Sequence, residues 1–103
     1  MLLSSTENIP GKTYEILGLV EGSMIQSKHI GKDITQGFKG IVGGELKQYT
    51  TMLTESREKA KERMIAQAEA LGADAIVCMR YSSSSIIDGA AEMLAYGTAV
   101  KTL

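Results

Sequence analysis

His29 and Cys78 are the strongest metal-ligand side chains in this chain of 103 residues, and there is one of each. A mononuclear site in one subunit needs carboxylates such as Asp33 or Glu45 to complete the ligand set of a zinc-like ion. A ring of identical subunits changes the count, because one Cys78, Met79 or His29 per copy becomes several around an axis. The competing roles are structural: a strand Cys that packs as a small hydrophobe, and a loop His that is solvated.

Other chemistries fit less well. The glycine-rich stretch "GKDITQGFKGIVGGEL", Gly31 to Leu46, spaces Gly37, Gly40, Gly43 and Gly44 in a way that matches neither GxxxxGK[ST] nor GxGxxG, the phosphate and dinucleotide patterns. Gly37-Phe38-Lys39-Gly40 matches the four-residue GxxG of nucleic-acid-binding KH domains, but a Phe fills one middle position and the preceding helix could span only Asp33 to Gln36. Ser82 to Ser85 offer hydroxyls without a strained GxSxG elbow, and only one His is present to act as base. Asp33, Glu45 and Glu92 are candidate acid/base groups whose default role is surface solvation.

Positioning any of these residues falls to a small set of elements. The sequence predicts an extended arm to Pro10-Gly11, then a strand from Tyr14 to Ile25 with a bend at Glu21-Gly22. Tyr14, Ile16, Gly18 and Val20 lie on one predicted face, and Leu17, Leu19 and Ile25 on the other. A short amphipathic helix begins at Asp33, with Ile34, Phe38, Ile41 and Val42 on its apolar side and Gly37, Gly40 and Gly44 on a stripe that admits a close neighbour.

Glu45 to Leu71 contains no Gly or Pro and reads as one helix of roughly 40 Å at 1.5 Å per residue, closed by Gly72. Its seam runs through Leu46, Leu53, Ala60 and Gln67, and through Arg57, Met64 and Leu71, with Tyr49 and Ser56 beside it. Ala75 to Ser82 alternates as a second strand, with Ala75, Val77, Met79 and Tyr81 opposite Ile76, Cys78 and Arg80. "SSSSIIDGA" reads as a polar loop, and Glu92 to Leu103 as a third strand pairing antiparallel with the second. The fold class is therefore α+β, one domain over residues 1–103, with about three strands on one long and one short helix in the order β-α-α-β-β. One helix leaves the other sheet face uncovered, which oligomerisation would remedy.

Composition narrows the functions. Eleven basic and twelve acidic residues, interspersed, give a formal charge of −1, and no electrostatic footprint for nucleic acid or an anionic membrane. One Cys excludes an intrachain disulfide and fits a reducing cytosol. Nothing approaches the roughly 20 apolar residues of a membrane span, and the N-terminal "MLLSSTENIPG" has no basic segment of a secretory signal. Apolar residues make up 44% of the chain, with six Met but one Phe and no Trp. That excess of small and flexible apolar surface over one thin core points to contact with copies of itself.

Six segments resemble the YbjQ family of small bacterial proteins, in the same order and spacing across nearly the whole chain: "IPGK" from Ile9, "LGLVEG" from Leu17, "IGKDI" from Ile30, "IVGGELKQYT" from Ile41, "ERMIAQAEALGADAI" from Glu62 and "AYGTAV" from Ala95. The sequence departs from the family pattern at Gln36 and Gly40, where Ala and Asn are usual, and at Ser56, where Ala is usual. The resemblance implies an α+β subunit in a ring-shaped homo-oligomer, a pentamer, with no established activity and a label that names heavy-metal binding. It carries no catalytic residues.

The expectation is a cytoplasmic, non-enzymatic homo-oligomer that binds a divalent or heavy-metal ion or a small ligand at subunit interfaces. The alternative is a structural or interaction ring that binds another macromolecule. Ligand-binding candidates are Asp33, Glu45, Tyr49, Glu92 and Tyr96, polar groups flanking the glycine segment and the last strand; His29 and Cys78 are the metal candidates. No nucleic-acid or membrane partner is expected.

Overall fold

The turn that ends the N-terminal arm is set by its residue types. Pro10 fixes the second position of a four-residue turn and Gly11, at φ 76°, supplies the left-handed third, closed by Lys12 N–H donating to Ile9 O at 3.1 Å. The computed structural model describes residues 1–26, 47–87 and 90–103. These form strand β1 (Leu2–Leu3), β2 (Tyr14–Gln26), helix α1 (Lys47–Ala70), β3 (Ala75–Ile87) and β4 (Ala90–Thr102). One mixed sheet runs β1-β3-β4-β2, with β1 parallel to β3 and the other pairings antiparallel.

The α+β class stands, and the strand count is corrected from three to four. Two apolar residues in the arm gave no strand signal by themselves; β1 exists because β3 offers a free edge, and the arm follows it. Ser4 N–H donates to Ile76 O and Met79 N–H to Ser4 O, both at 2.9 Å. The serines also differ from the predicted loop. Ser82, Ser83, Ser84 and Ser85 lie in β3 opposite Leu94, Met93, Glu92 and Ala91, because the hairpin partner supplies backbone bonds that their side chains do not foretell. The short helix predicted from Asp33 and the glycine stripe lie outside the described residues.

Three irregularities reset which side chains share a face, the last of them between Ser85 and Ile87 at the hairpin end. The bend expected at Glu21-Gly22 is found instead between Ile16 and Gly18, and a second shift falls between Val77 and Arg80, where Cys78 has φ 56°. Each inserts residues into one strand only, so the simple alternation breaks. Register then places Ile16, Leu19, Glu21, Ser23 and Ile25 of β2 on one face with Val100, Thr98, Tyr96, Leu94 and Glu92 of β4. Val20, Gly22 and Met24 face the other way, toward α1.

The helix buries Ser56, Ala60, Met64 and Ala68, spaced four apart, so the apolar line follows the i, i+4 ridge. Ala60, Met64 and Ser56 belong to the predicted seam. Leu53 and Leu71 do not enter it, at 37% and 48% exposure. The helix ends at Gly72, φ 84°, whose N–H donates to Glu69 O at 3.0 Å while Ala73 N–H reaches Ala68 O at 3.0 Å.

Val20, Ile76, Met93, Ala95 and Ala99 complete this core beneath the helix. Alanine at four of its strand and helix positions, Ala60, Ala68, Ala95 and Ala99, brings the backbones close, and full burial of Met64 contributes about 1.5–3 kcal/mol. Part of the opposite sheet face is covered by the arm. Ile9 packs there on Ala75, Val77 and Val100, with Tyr14 and Cys78 at the margin. Tyr14 Oη–H donates to Glu7 O at 2.6 Å and Cys78 N–H to Thr6 O at 3.1 Å, which hold the arm down.

Candidate functional site

The outer strand β2 has backbone groups that no strand takes, and the helix answers two of them. Glu21 N–H donates to Gln67 Oε1 at 2.9 Å, and Arg63 Nη1 donates to Ser23 O at 2.5 Å. Between these residues lies Gly22. A Cβ built there would sit 2.3 Å from Ala60 O and 2.4 Å from Met64 N, so only glycine lets the helix backbone rest on the strand and extend Arg63 and Gln67 past its edge.

That arrangement shapes a groove of about 450 Å³, lined by Glu21, Gly22, Ser23, Arg63, Gln67, Glu92 and Leu94. Its chemistry is polar: two carboxylates, one guanidinium, an amide and a hydroxyl. Carboxylate and carbonyl oxygens suit hard cations or ammonium groups, whereas a guanidinium with Nη1 on a carbonyl retains donors for an anionic oxygen.

Tyr96 stands next to the groove on the helix-free face, at the centre of a row. Register sets it opposite Glu21 of β2 and opposite Arg80 of β3. Arg80 Nη1 donates to Ser5 O at 2.7 Å and to Met79 O at 2.9 Å, tying the arm to the end of the β3 irregularity.

Of the residues singled out in the sequence, Glu92 and Tyr96 share this face. Cys78 packs, half-buried, against the cluster under Ile9 on the same side of the sheet and does not line the groove. Tyr49 lies in the first turn of α1, and its side chain, like His29, Asp33 and Glu45 altogether, lies outside the described residues. Among the described residues no three of His, Cys, Asp and Glu gather where one ion could reach them. Heavy metals favour thiolates, and the one Cys78 thiol packs among apolar side chains, so the described residues of one copy do not by themselves fit such an ion.

Glu21, Arg63, Gln67 and Arg80 escaped the sequence reading. Gly22 was the available signal: a glycine inside an otherwise apolar strand marks close backbone approach as often as a bulge. Elsewhere, Asp74 accepts from Thr102 N–H at 2.9 Å and from Thr102 Oγ1–H at 2.5 Å. These bonds, the hydroxyl's foremost, lower the Asp74 pKa and tie the end of β4 to the turn after α1. The Glu58 carboxylate bonded to Lys61 Nζ raises the Lys61 pKa on the outer helix face.

Comparison with known proteins gives one consistent result. A family model named YbjQ_1, described as "Putative heavy-metal-binding", matches residues 1–103. A UPF0145 protein of Thermosipho africanus is 62% identical over 102 residues, covering 98% of this chain and 94% of that one. UPF0145 proteins of Thermotoga maritima and Vibrio campbellii are 58% and 55% identical, over 98% and 100% of this chain and 96% and 100% of theirs. A crystal structure of a protein of unknown function from Pediococcus pentosaceus, assigned to the DUF74 family, superposes with TM-score 0.67 at 19% identity, covering 98% of this chain and 96% of that one. It shares the fold.

Proposed function

The chain belongs to the YbjQ family, and from that premise we propose that it is a non-enzymatic homo-oligomer that binds a metal ion or small polar ligand at the contact between copies. The observation that carries this reading is the β2-edge groove. It gathers Glu21, Glu92 and Arg63 with Ser23 and Gln67 at the outer edge of the sheet and is open to solvent. The pentameric ring that the resemblance implies would give such a groove five equivalent copies, and would multiply His29 and Cys78 in the same way.

A family label that names heavy metals supports a metal as the ligand, and the mixed charge of the groove supports a small zwitterionic or cationic molecule equally. With a formal charge of −1, the surface favours neither nucleic acid nor membrane as partner, and the lone Cys suits the bacterial cytosol. Among the described residues no helix is long and apolar enough to cross a membrane.

The test is equilibrium dialysis and thermal unfolding of the purified protein against zinc, copper, cadmium and a panel of amino acids and polyamines, with the molar mass measured alongside. Binding that drops at least tenfold in Glu92→Gln or Glu21→Gln, with the mass unchanged, supports the groove. An oligomer with no bound metal by elemental analysis and no thermal shift across the panel refutes it. In that event the exposed apolar side chains Leu19 and Ile25 favour the second reading, a ring that binds another macromolecule, tested by chelator-insensitive pull-down.

A further inference from the structure

The groove at the β2 edge is lined by two carboxylates and one guanidinium, and no ion pair joins Arg63 to Glu21 or to Glu92. Backbone groups stand among them. In an antiparallel edge strand the N–H and C=O of one residue point the same way, and alternate residues point alike. Glu21 N–H and Ser23 O are both taken by helix side chains, so these two residues turn their backbone groups away from β4. Glu21 C=O and Ser23 N–H therefore point out of the sheet edge as well, and among the described residues no group bonds to either.

The donors and acceptors follow an order along the strand. At one end Glu21 offers a carbonyl and a carboxylate. Beside it, Ser23 N–H, the rest of the Arg63 fork and the Gln67 amide nitrogen are donors. Farther on, Leu94 lies opposite Ser23, and Glu92 lies opposite Ile25. Glu21 and Glu92 thus differ by four residues in register, about 14 Å along the strand at roughly 3.4 Å per residue, a span that two flexible side chains shorten.

We propose that the groove binds a basic α-amino acid, a molecule with one carboxylate and two cationic groups such as lysine, ornithine or arginine; this rests on the ligand-site reading of the groove given above but not on the number of copies. The α-carboxylate meets Arg63, Ser23 N–H and the Gln67 amide. The α-ammonium meets Glu21, at its C=O and its carboxylate. The methylenes cross Leu94, and the distal cation reaches Glu92. The three charged side chains carry two negative charges and one positive, and the ligand carries two positive and one negative, so every charge is matched. A metal ion or a polyamine leaves Arg63 unmatched, and an acidic amino acid sets its second carboxylate against Glu92. Preorganisation supports binding: the bonds from Arg63 and Gln67 to β2 hold both side chains at the edge, where Gly22 lets the helix come close.

The test is isothermal titration calorimetry at one fixed low ionic strength, extended to weak binders by ligand-observed NMR, with L-lysine, cadaverine, L-norleucine, L-glutamate and zinc as probes. Cadaverine is lysine without its carboxylate, and norleucine is lysine without its distal ammonium. Wild type should bind lysine at least about tenfold more tightly than cadaverine, norleucine or glutamate, the worth of one charge-assisted bond. Arg63→Gln should lose at least about tenfold toward lysine and less than about twofold toward cadaverine, and Glu92→Gln should do the same with norleucine in place of cadaverine. Circular dichroism and the unfolding midpoint accompany each variant. Lysine binding that is absent, no tighter than cadaverine or norleucine, or unchanged in both variants overturns this ligand class; the site reading survives that result if zinc or cadaverine binds and is weakened in Glu92→Gln. No binding of any probe overturns both. If Arg63→Gln loosens β2, the comparison of lysine with its two analogues on the wild type decides the matter.

Discussion

Replacing Gly22 with alanine puts a methyl group into the place where α1 rests on β2. The new Cβ would lie 2.3 Å from Ala60 O, 2.4 Å from Met64 N and 2.7 Å from Arg63 Cβ. Ordinary contact begins near 3.4 Å, so the helix must retreat by about 1 Å, and two of the three obstacles are backbone that no rotamer change can move. A gap of that size forfeits a quarter to a half of the dispersion well for each facing atom pair. Met64, Ala60 and Val20, all essentially buried, lose contact together. Overpacking of a tight core costs about 1–3 kcal/mol, and the backbone clash puts Gly22→Ala at the upper end. Reduced freedom of the unfolded chain offsets about 0.4–1 kcal/mol. The net expectation is a loss of about 2–2.6 kcal/mol, or roughly 8–20 °C in Tm at about 4–8 °C per kcal/mol for a domain of this size. Urea and thermal unfolding at one fixed protein concentration measure it. Amide exchange supplies an independent readout, because a retreating helix also draws Gln67 away from Glu21 N–H, whose protection should fall. Stability within about 0.5 kcal/mol of wild type, with Glu21 still protected, would refute the packing argument.

Ser56→Ala should destabilise by about 1–2 kcal/mol in denaturant titration, since the buried Ser56 hydroxyl accepts from Gln26 Nε2 and donates to Met52 O, and its loss leaves the Gln26 amide without that partner. Gln26→Leu/Ser56→Ala, which removes both polar groups, should be closer to wild type than Ser56→Ala alone. The Asp74 pKa is depressed in the folded state, so its contribution to stability is present above the unfolded carboxylate pKa and is lost as pH falls through the lower folded value. Thr102→Val, which removes the hydroxyl bond and keeps the backbone one, should flatten the acid limb of the stability curve below about pH 4, the ordinary carboxylate range, and raise the Asp74 pKa followed by NMR; an unchanged titration would count against the hydroxyl bond.

Composition, charge and periodicity carried the α+β class, the long helix with its Gly72 stop, the Pro10-Gly11 turn and the antiparallel pairing of the last two strands. Those features depend on local rules: a helix run without breakers, a cap that only a left-handed residue makes, a hairpin joined by a short connection. Other features depended on partners that no local pattern contains. β1 is a strand because β3 has a free edge, and the serines of β3 are extended because β4 bonds to them. The irregularities at Leu17 and at Cys78-Met79 moved Leu19 and Arg80 to the helix-free face, which an alternation count cannot foresee since one inserted residue inverts every side chain beyond it.

The same division holds for the groove. Glu92, which lines it, and Tyr96, which stands beside it, were read from sequence as ligand-binding candidates because they are polar groups of a strand whose period is plain. Glu21, Arg63 and Gln67 were not, because what unites them is a distance between elements. By itself the sequence determined the elements, the near-neutral surface and the surplus of small apolar side chains. Tertiary structure alone decided that Gly22 admits the helix to within touching distance of β2. That closeness turns three separate polar residues into one groove and leaves unlike charges on opposite margins of the sheet.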